Sequence, residues 1–196
     1  MKSRPILLAA GAALLLSGCL SLGGNVPPSL LNLSADSRPA PDSVRSGSAQ
    51  TALTVVIPSV PQKLRTPRVP VETGGTEIAY LKDAQWVEPP ARLFQRLLSE
   101  TLSASGGRLV LTETELITGP GELLSGDLLD FGVNADSGQA VVTFQAMRLT
   151  NDGSMIAQRR FQARESVGEL TPANAGAALN RAANRVAAEV SAWMAG

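Results

Sequence analysis

Between Pro89-Pro90 and Gly106-Gly107 the apolar residues Leu93, Phe94, Leu97, Leu98 and Leu102 recur at steps of one, three and four, while Arg92, Arg96 and Glu100 fall off that stripe. This is the helical period, and it predicts an amphipathic helix with one buried face. Paired prolines suit its first turn, where a missing N–H leaves no bond unmade, and paired glycines suit its end. A second stripe, Ala175, Leu179, Ala182, Val186, Val190 and Trp193, follows Thr171-Pro172, an N-cap and first-turn pair. It lies opposite Arg181, Asn184 and Arg185, and its small alanines allow that helix to lie close on a sheet.

Elsewhere the pattern is that of strands. Thr51 to Pro61 is apolar and β-branched at Leu53, Val55, Val56, Ile57 and Val60 and is bounded by proline, which predicts a first core strand. Leu64 to Val71 is extended, because Pro67 and Pro70 exclude a helix, and Gly74-Gly75 turns it into a strand over Glu77 to Leu81. Arg108 to Thr114, Glu122 to Asn134, Gln139 to Thr150 and Met155 to Val167 follow, separated by Gly119-Pro120-Gly121, Asp136-Ser137-Gly138 and Asn151-Asp152-Gly153. Such turns between β-branched runs predict an antiparallel meander. Within it Val141, Thr143, Gln145, Met147 and Leu149 share one face, and Val142, Phe144, Ala146 and Arg148 the other. The expected fold is α+β: a single domain with an antiparallel or mixed sheet and two helices packed on one face.

The first residues read differently. Lys2 and Arg4 precede a stretch from Pro5 to Leu16 that is apolar except for Gly11. About a dozen residues cannot cross a bilayer core that needs roughly 20 in a helix, so residues 1–18 read as a cleaved signal peptide. Leu16-Ser17-Gly18-Cys19 is a lipobox, in which small residues extend into the peptidase and the thiol takes the diacylglycerol. Palmitate and related acyl chains are therefore expected on Cys19, the only cysteine, which leaves no disulfide, CxxC or thiolate metal cluster. Leu20 follows where an aspartate would favour retention at the inner membrane, so the periplasmic leaflet of the outer membrane is the expected location. Residues 19–50 are rich in Gly, Pro, Ser, Asp and Ala and read as a lipidated tether, with Ser29 to Ser34 able to pair as a short edge strand. Residues 51–196 remain for the domain.

Charge and composition then remove function classes. The chain has 17 basic and 17 acidic residues, and losing Lys2 and Arg4 tips the mature form slightly acidic. That balance argues against nucleic acid and against a polybasic grip on anionic lipid. Histidine is absent, which excludes Ser-His-Asp, Cys-His and HExxH chemistry. Carboxylate pairs drawn from Glu113, Glu115 and Glu122, or Asp127 and Asp130, survive that test, but two tryptophans and one tyrosine give no sign of a sugar cleft. Gly119-Pro120-Gly121 lacks the GxGxxG spacing and is a turn. No enzyme activity, cofactor or metal is expected.

Val60-Pro61, Leu64-Arg65-Thr66-Pro67, Ala79-Tyr80 and then Trp86-Val87-Glu88-Pro89-Pro90 opening a helix resemble the ABC-type transport auxiliary lipoprotein family, which includes paraquat-inducible protein C. The likeness runs from about Ser29 to the C-terminus. It departs where the family usually has Asp-Arg-Pro, here Arg65-Thr66-Pro67, and where it usually has Asn two or three residues before the tryptophan, here Asp83 and Ala84. The resemblance implies a non-catalytic part of an MCE-type lipid transport system, docking the periplasmic MCE protein at the outer membrane; homo-oligomers also fall within the expectation. The alternative is an envelope assembly or structural lipoprotein not tied to transport. Arg65, Arg68, Trp86 and Glu88 are the candidate partner-binding residues. Each also has a plainer reading: Trp86 packed over the helix start, Glu88 beside a positive helix end, and the arginines, with Lys63, on a solvated face.

Overall fold

The computed structural model describes residues 29–48, 50–112, 121–150, 152 and 154–196. In chain order these form β1 (Leu53–Val55), β2 (Arg68–Thr73), β3 (Glu77–Gln85), α1 (Pro90–Ala104), β4 (Val110–Thr112), β5 (Glu122–Asn134), β6 (Gln139–Thr150), β7 (Ile156–Ser166) and α2 (Pro172–Ala195), with a 3-10 turn at Gln62–Leu64. The α+β fold with two helices is as expected, and the sheet is mixed.

The long strand β5 organises the sheet. One edge of it pairs antiparallel with β6, which pairs antiparallel with β7. The other edge is shared: β1 runs parallel to its first residues (Leu53↔Glu122) and β2 parallel to its last (Val71↔Val133). β3 closes a hairpin on β2, and β4 lies parallel to the far side of β1. The expected meander therefore holds for β5, β6 and β7 but not for β4. After α1 carries the chain back over the sheet, β4 enters in the direction of β1 and pairs there. The expected first strand is also shorter than its apolar run. Pro58 has no N–H to give, so regular pairing stops at Val55. The chain still follows β5, with Val56 N donating to Leu124 O and Ser59 N to Gly126 O.

Both helices cover one face. The inward set on β6 is Ala140, Val142, Phe144 and Ala146, and β7 adds Phe161 and Ala163. On β5, Leu124 and Leu128 point inward, as do Phe131 and Val133, although 128 and 131 differ by an odd number. A bulge between Leu128 and Asp130 absorbs one residue and resets the alternation. Against this face α2 lays Ala175, Ala178, Leu179, Ala182, Ala183, Val186 and Val190, all fully buried. Phe94 of α1 meets Phe144 edge-on at 5.2 Å, and Trp193 of α2 tilts against Phe161 at 5.7 Å. Such aromatic pairs contribute roughly 0.5–1.5 kcal/mol beyond the area they bury. Thr171 caps α2 as its sequence predicts, its hydroxyl accepting from Asn174 N.

The segment before Thr51 is more than a tether. Leu31 pairs with the chain after β3, its N donating to Gln85 O while Val87 N donates to Leu31 O. This is the edge pairing expected of Ser29 to Ser34, and it continues as a strap across α2. Leu33 and Ala35 are buried, and the Leu31 side chain lies where a Cβ on Gly176 would come within 2.7 Å of it. Asn184 was expected on the exposed side of α2. It is only 7% exposed, because it accepts from Asp36 N and donates to Ser34 O. Ordered chain thus reaches upstream of the expected domain start at residue 51.

Candidate functional site

The residues singled out as a partner surface converge on the corner formed by the 3-10 turn, β2 and β3. Leu64 is fully buried, and the turn that buries it, closed by Leu64 N donating to Pro61 O, leaves Arg65 exposed at its end. Pro67 and Pro70 keep the next residues extended, so Val69 points into the core and Arg68 outward. The Arg68 guanidinium lies 4.3 Å from the centre of the Tyr80 ring. At an exposed site that contact is worth about 0.5–1 kcal/mol, and it fixes the cation without neutralising it. Neither arginine has a carboxylate partner among the described residues.

Lys63, grouped with them in the sequence, does something else. Its ammonium donates to Glu72 and, at 2.9 Å, to Asp130, which ties the turn down onto the sheet. Tyr80 OH donates to Lys63 O. Burial works to lower the Lys63 pKa, but hydrogen bonds and charge from Asp130 and Glu72 outweigh it, and the net shift is upward from 10.5. An amine held protonated in this way is no nucleophile at neutral pH. Beside it opens a cavity of about 120 Å³ lined by Lys63, Pro70, Glu72, Asp130, Gln162 and Arg164. Replacing Lys63 with methionine leaves two carboxylates facing one another, and we expect a loss of about 1–2 kcal/mol, discounted for their partial exposure. Because the folded pKa is raised, the lysine's contribution is complete through neutral pH and disappears only as pH rises beyond 10.5. Urea titrations of both proteins at pH 7 and pH 11 measure this; equal midpoints at pH 7 would contradict it.

Trp86 and Glu88 are placed differently from a contact surface. Trp86 is 0% exposed, its ring edge-on to Phe131 at 5.4 Å and its N donating to Pro67 O. As a direct docking residue Trp86 is therefore corrected: a side chain sealed in the core touches no partner. Its place follows from β3, which continues past the expected end at Leu81 to Gln85 through an irregular stretch opposite Arg68 and Pro70. There Asp83 takes φ 57, a left-handed conformation that Asp and Asn tolerate better than other non-glycine residues. Glu88 makes no cap bond to α1 and instead forms an ion pair with Arg96 on the same helix. Cys19, Glu113 and Glu115 lie outside the described residues.

At the opposite end of the sheet Glu122 is held by both Arg108 and Arg148, and Arg108 also donates to Met194 O. The cluster borders an open depression of about 430 Å³. With two guanidinium groups on it, Glu122 is fixed as their counter-ion and anchors the last turn of α2. Asp130 is likewise committed to Lys63. Among the described residues no group of three or more His, Cys, Asp or Glu converges to hold a metal ion, and no helix is long and apolar enough to cross a membrane. Two features escaped the sequence pattern. Asp130 as a partner of Lys63 is distant in sequence, and Arg159, Arg160 and Arg164 line a free sheet edge.

Solved structures share this architecture. A crystal structure of a Xanthomonas campestris protein of family DUF330 is similar with a TM-score of 0.70 at 19% identity, covering 85% of this chain and 94% of that one. A second, described as an uncharacterized protein, gives 0.64 at 15% identity, covering 74% and 92%. A search of curated protein sequences finds no significant match. The strap and the domain together, residues 32–191, match the model of the ABC-type transport auxiliary lipoprotein component. The chain belongs to that family.

Proposed function

We propose that this protein is a non-catalytic lipoprotein of the outer membrane that docks the periplasmic MCE protein of an ABC-type lipid transporter. Membership of a family of transport auxiliary lipoproteins supports a role beside a transporter rather than in turnover. The observation that carries docking is the pair of exposed cations, Arg65 and Arg68, held on a rigid corner of the sheet without a carboxylate partner among the described residues. Prolines and a buried leucine pre-organise that corner, so little order remains to be gained on binding. Trp86 supports the corner from beneath, and Glu88 enters only through its pair with Arg96.

Charge reversal at both arginines separates docking from folding. Exposed charges contribute about 0–1 kcal/mol to stability, whereas charges that pair across an interface contribute more to binding. Arg65→Glu/Arg68→Glu is therefore expected to melt within a few degrees of the wild type while recovering less than a tenth of the MCE protein in pull-downs. Equal recovery rejects this surface. No recovery by either protein favours an envelope assembly role instead.

A further inference from the structure

We propose that the free edge of β7 is a docking strand, which takes an extended acidic segment of a partner protein as the next strand of the sheet. This rests on the docking role above and adds to it a second surface, at the far edge of the sheet.

Among the described strands β7 pairs only with β6, so its outer edge is open up to Ser166, whose carbonyl accepts from Arg181. The other free edges are less suited. β4 is three residues long, and β3 is broken by its irregular stretch and the left-handed Asp83. Three cations stand on β7 within six residues, Arg159, Arg160 and Arg164, all exposed. Several arginines find carboxylates, Arg38 with Glu100, Arg96 with Glu88, Arg181 and Arg185 with Glu165. Among the described residues these three do not, like Arg65 and Arg68. Arg160 donates to the Gln145 side-chain oxygen, Arg164 to that of Gln162, and Arg159 lies 5.0 Å above the Phe161 ring.

That pattern selects among occupants. A second copy adding edge to edge would set arginines against arginines, which like-charge pairing across strands disfavours. A flat anionic bilayer meets cations on one surface, but strand alternation sends Arg159 to the helix side and Arg160 and Arg164 to the other side. A strand inserted at the edge lies between both sets, so acidic side chains at adjacent positions along it reach arginine on either face. It would also cover Ile156, which is 66% exposed at the start of β7. Main-chain hydrogen bonds would then supply affinity and the arginines would set partner charge and register.

The test uses the full-length chain purified in detergent and fluorescent ten-residue peptides at low salt. A peptide repeating Glu-Glu-Val-Val, which presents Glu on both faces of an extended strand, should bind. It should bind at least tenfold more weakly to Arg159→Glu/Arg160→Glu/Arg164→Glu, and a Lys and Val peptide should show the reverse preference. The Glu peptide with every backbone N–H methylated keeps its charge but cannot join a sheet, and it should lose at least tenfold in affinity. Equal binding of the methylated peptide, or no binding of the parent, overturns the proposal. So does a change of oligomeric state in the triple variant, or a preference for phosphatidylglycerol vesicles over the peptide. Peptide binding without recovery of the MCE protein keeps the strand edge while rejecting that partner. Recovery of the MCE protein unaffected by the triple reversal, with no peptide binding, rejects the edge and leaves the docking role intact.

Discussion

Replacing Trp86 with alanine is expected to lower stability by about 3–5 kcal/mol, the range for removing a large aromatic from a packed core. The ring has no exposure and rests edge-on against Phe131, while its main chain joins β3, Pro67 and the strap at Leu31. For a domain of this size each kcal/mol moves the melting temperature by roughly 2–4 °C, so a drop on the order of 10 °C should be seen. Phenylalanine at the same position should cost much less. The indole N–H has no hydrogen-bond partner among the described residues, so Phe removes a buried donor that is already unsatisfied. Calorimetry on the three proteins gives the ordering wild type, Phe, Ala. An alanine variant that melts with the wild type but fails to bind the transporter would instead make Trp86 a contact.

Cys19→Ala is expected to abolish lipid attachment altogether, and with it stable anchoring. Cys19 is the only thiol in the chain. Stable attachment takes more than one acyl chain, or a chain plus a polybasic patch. No described helix is long and apolar enough to span a bilayer, and past residue 18 the net charge is slightly acidic, so a polybasic grip on anionic lipid does not stand in for the acyl chains. Growth with a radioactive fatty acid followed by gel autoradiography reads the result directly. A labelled band from the alanine variant would end the lipobox reading, as would a carbonate-resistant membrane pool of processed variant.

Much of this architecture was legible because local signals agreed with each other. Pro89-Pro90, the Leu93 to Leu102 stripe and Gly106-Gly107 bound α1 almost to the residue, and Thr171-Pro172 opened α2 as written. What escaped depends on neighbours far along the chain. Nothing local tells that β4 pairs with β1 and not with β5, since a three-residue strand carries no register of its own. The pattern of its own helix puts Asn184 on the exposed side; the strap that buries it comes from about 150 residues upstream. For the site, charge and proline spacing mark Arg65 and Arg68 as exposed cations, whereas Trp86 carries two readings, a surface contact and a packed ring, of which the structure has the second. A tryptophan beside Glu and Pro reads equally well as an anchor or as a plug until its neighbours in space, Phe131 and the strap at Leu31, are known. Asp83 itself takes the left-handed conformation, which Asp tolerates better than most residues.

The strap shortens the leash. Were the chain free from Cys19 to residue 50, a fully extended tether could reach on the order of 100 Å from its lipid. With Leu31 fastened beneath α2 and beside Trp86, the extended span from Cys19 falls to at most about 40 Å. A lipid on that cysteine would confine the domain to a shallow layer next to the bilayer. Any protein it meets must then arrive close to the membrane, and the search for it is nearly two-dimensional, which raises encounter frequency without a single added contact.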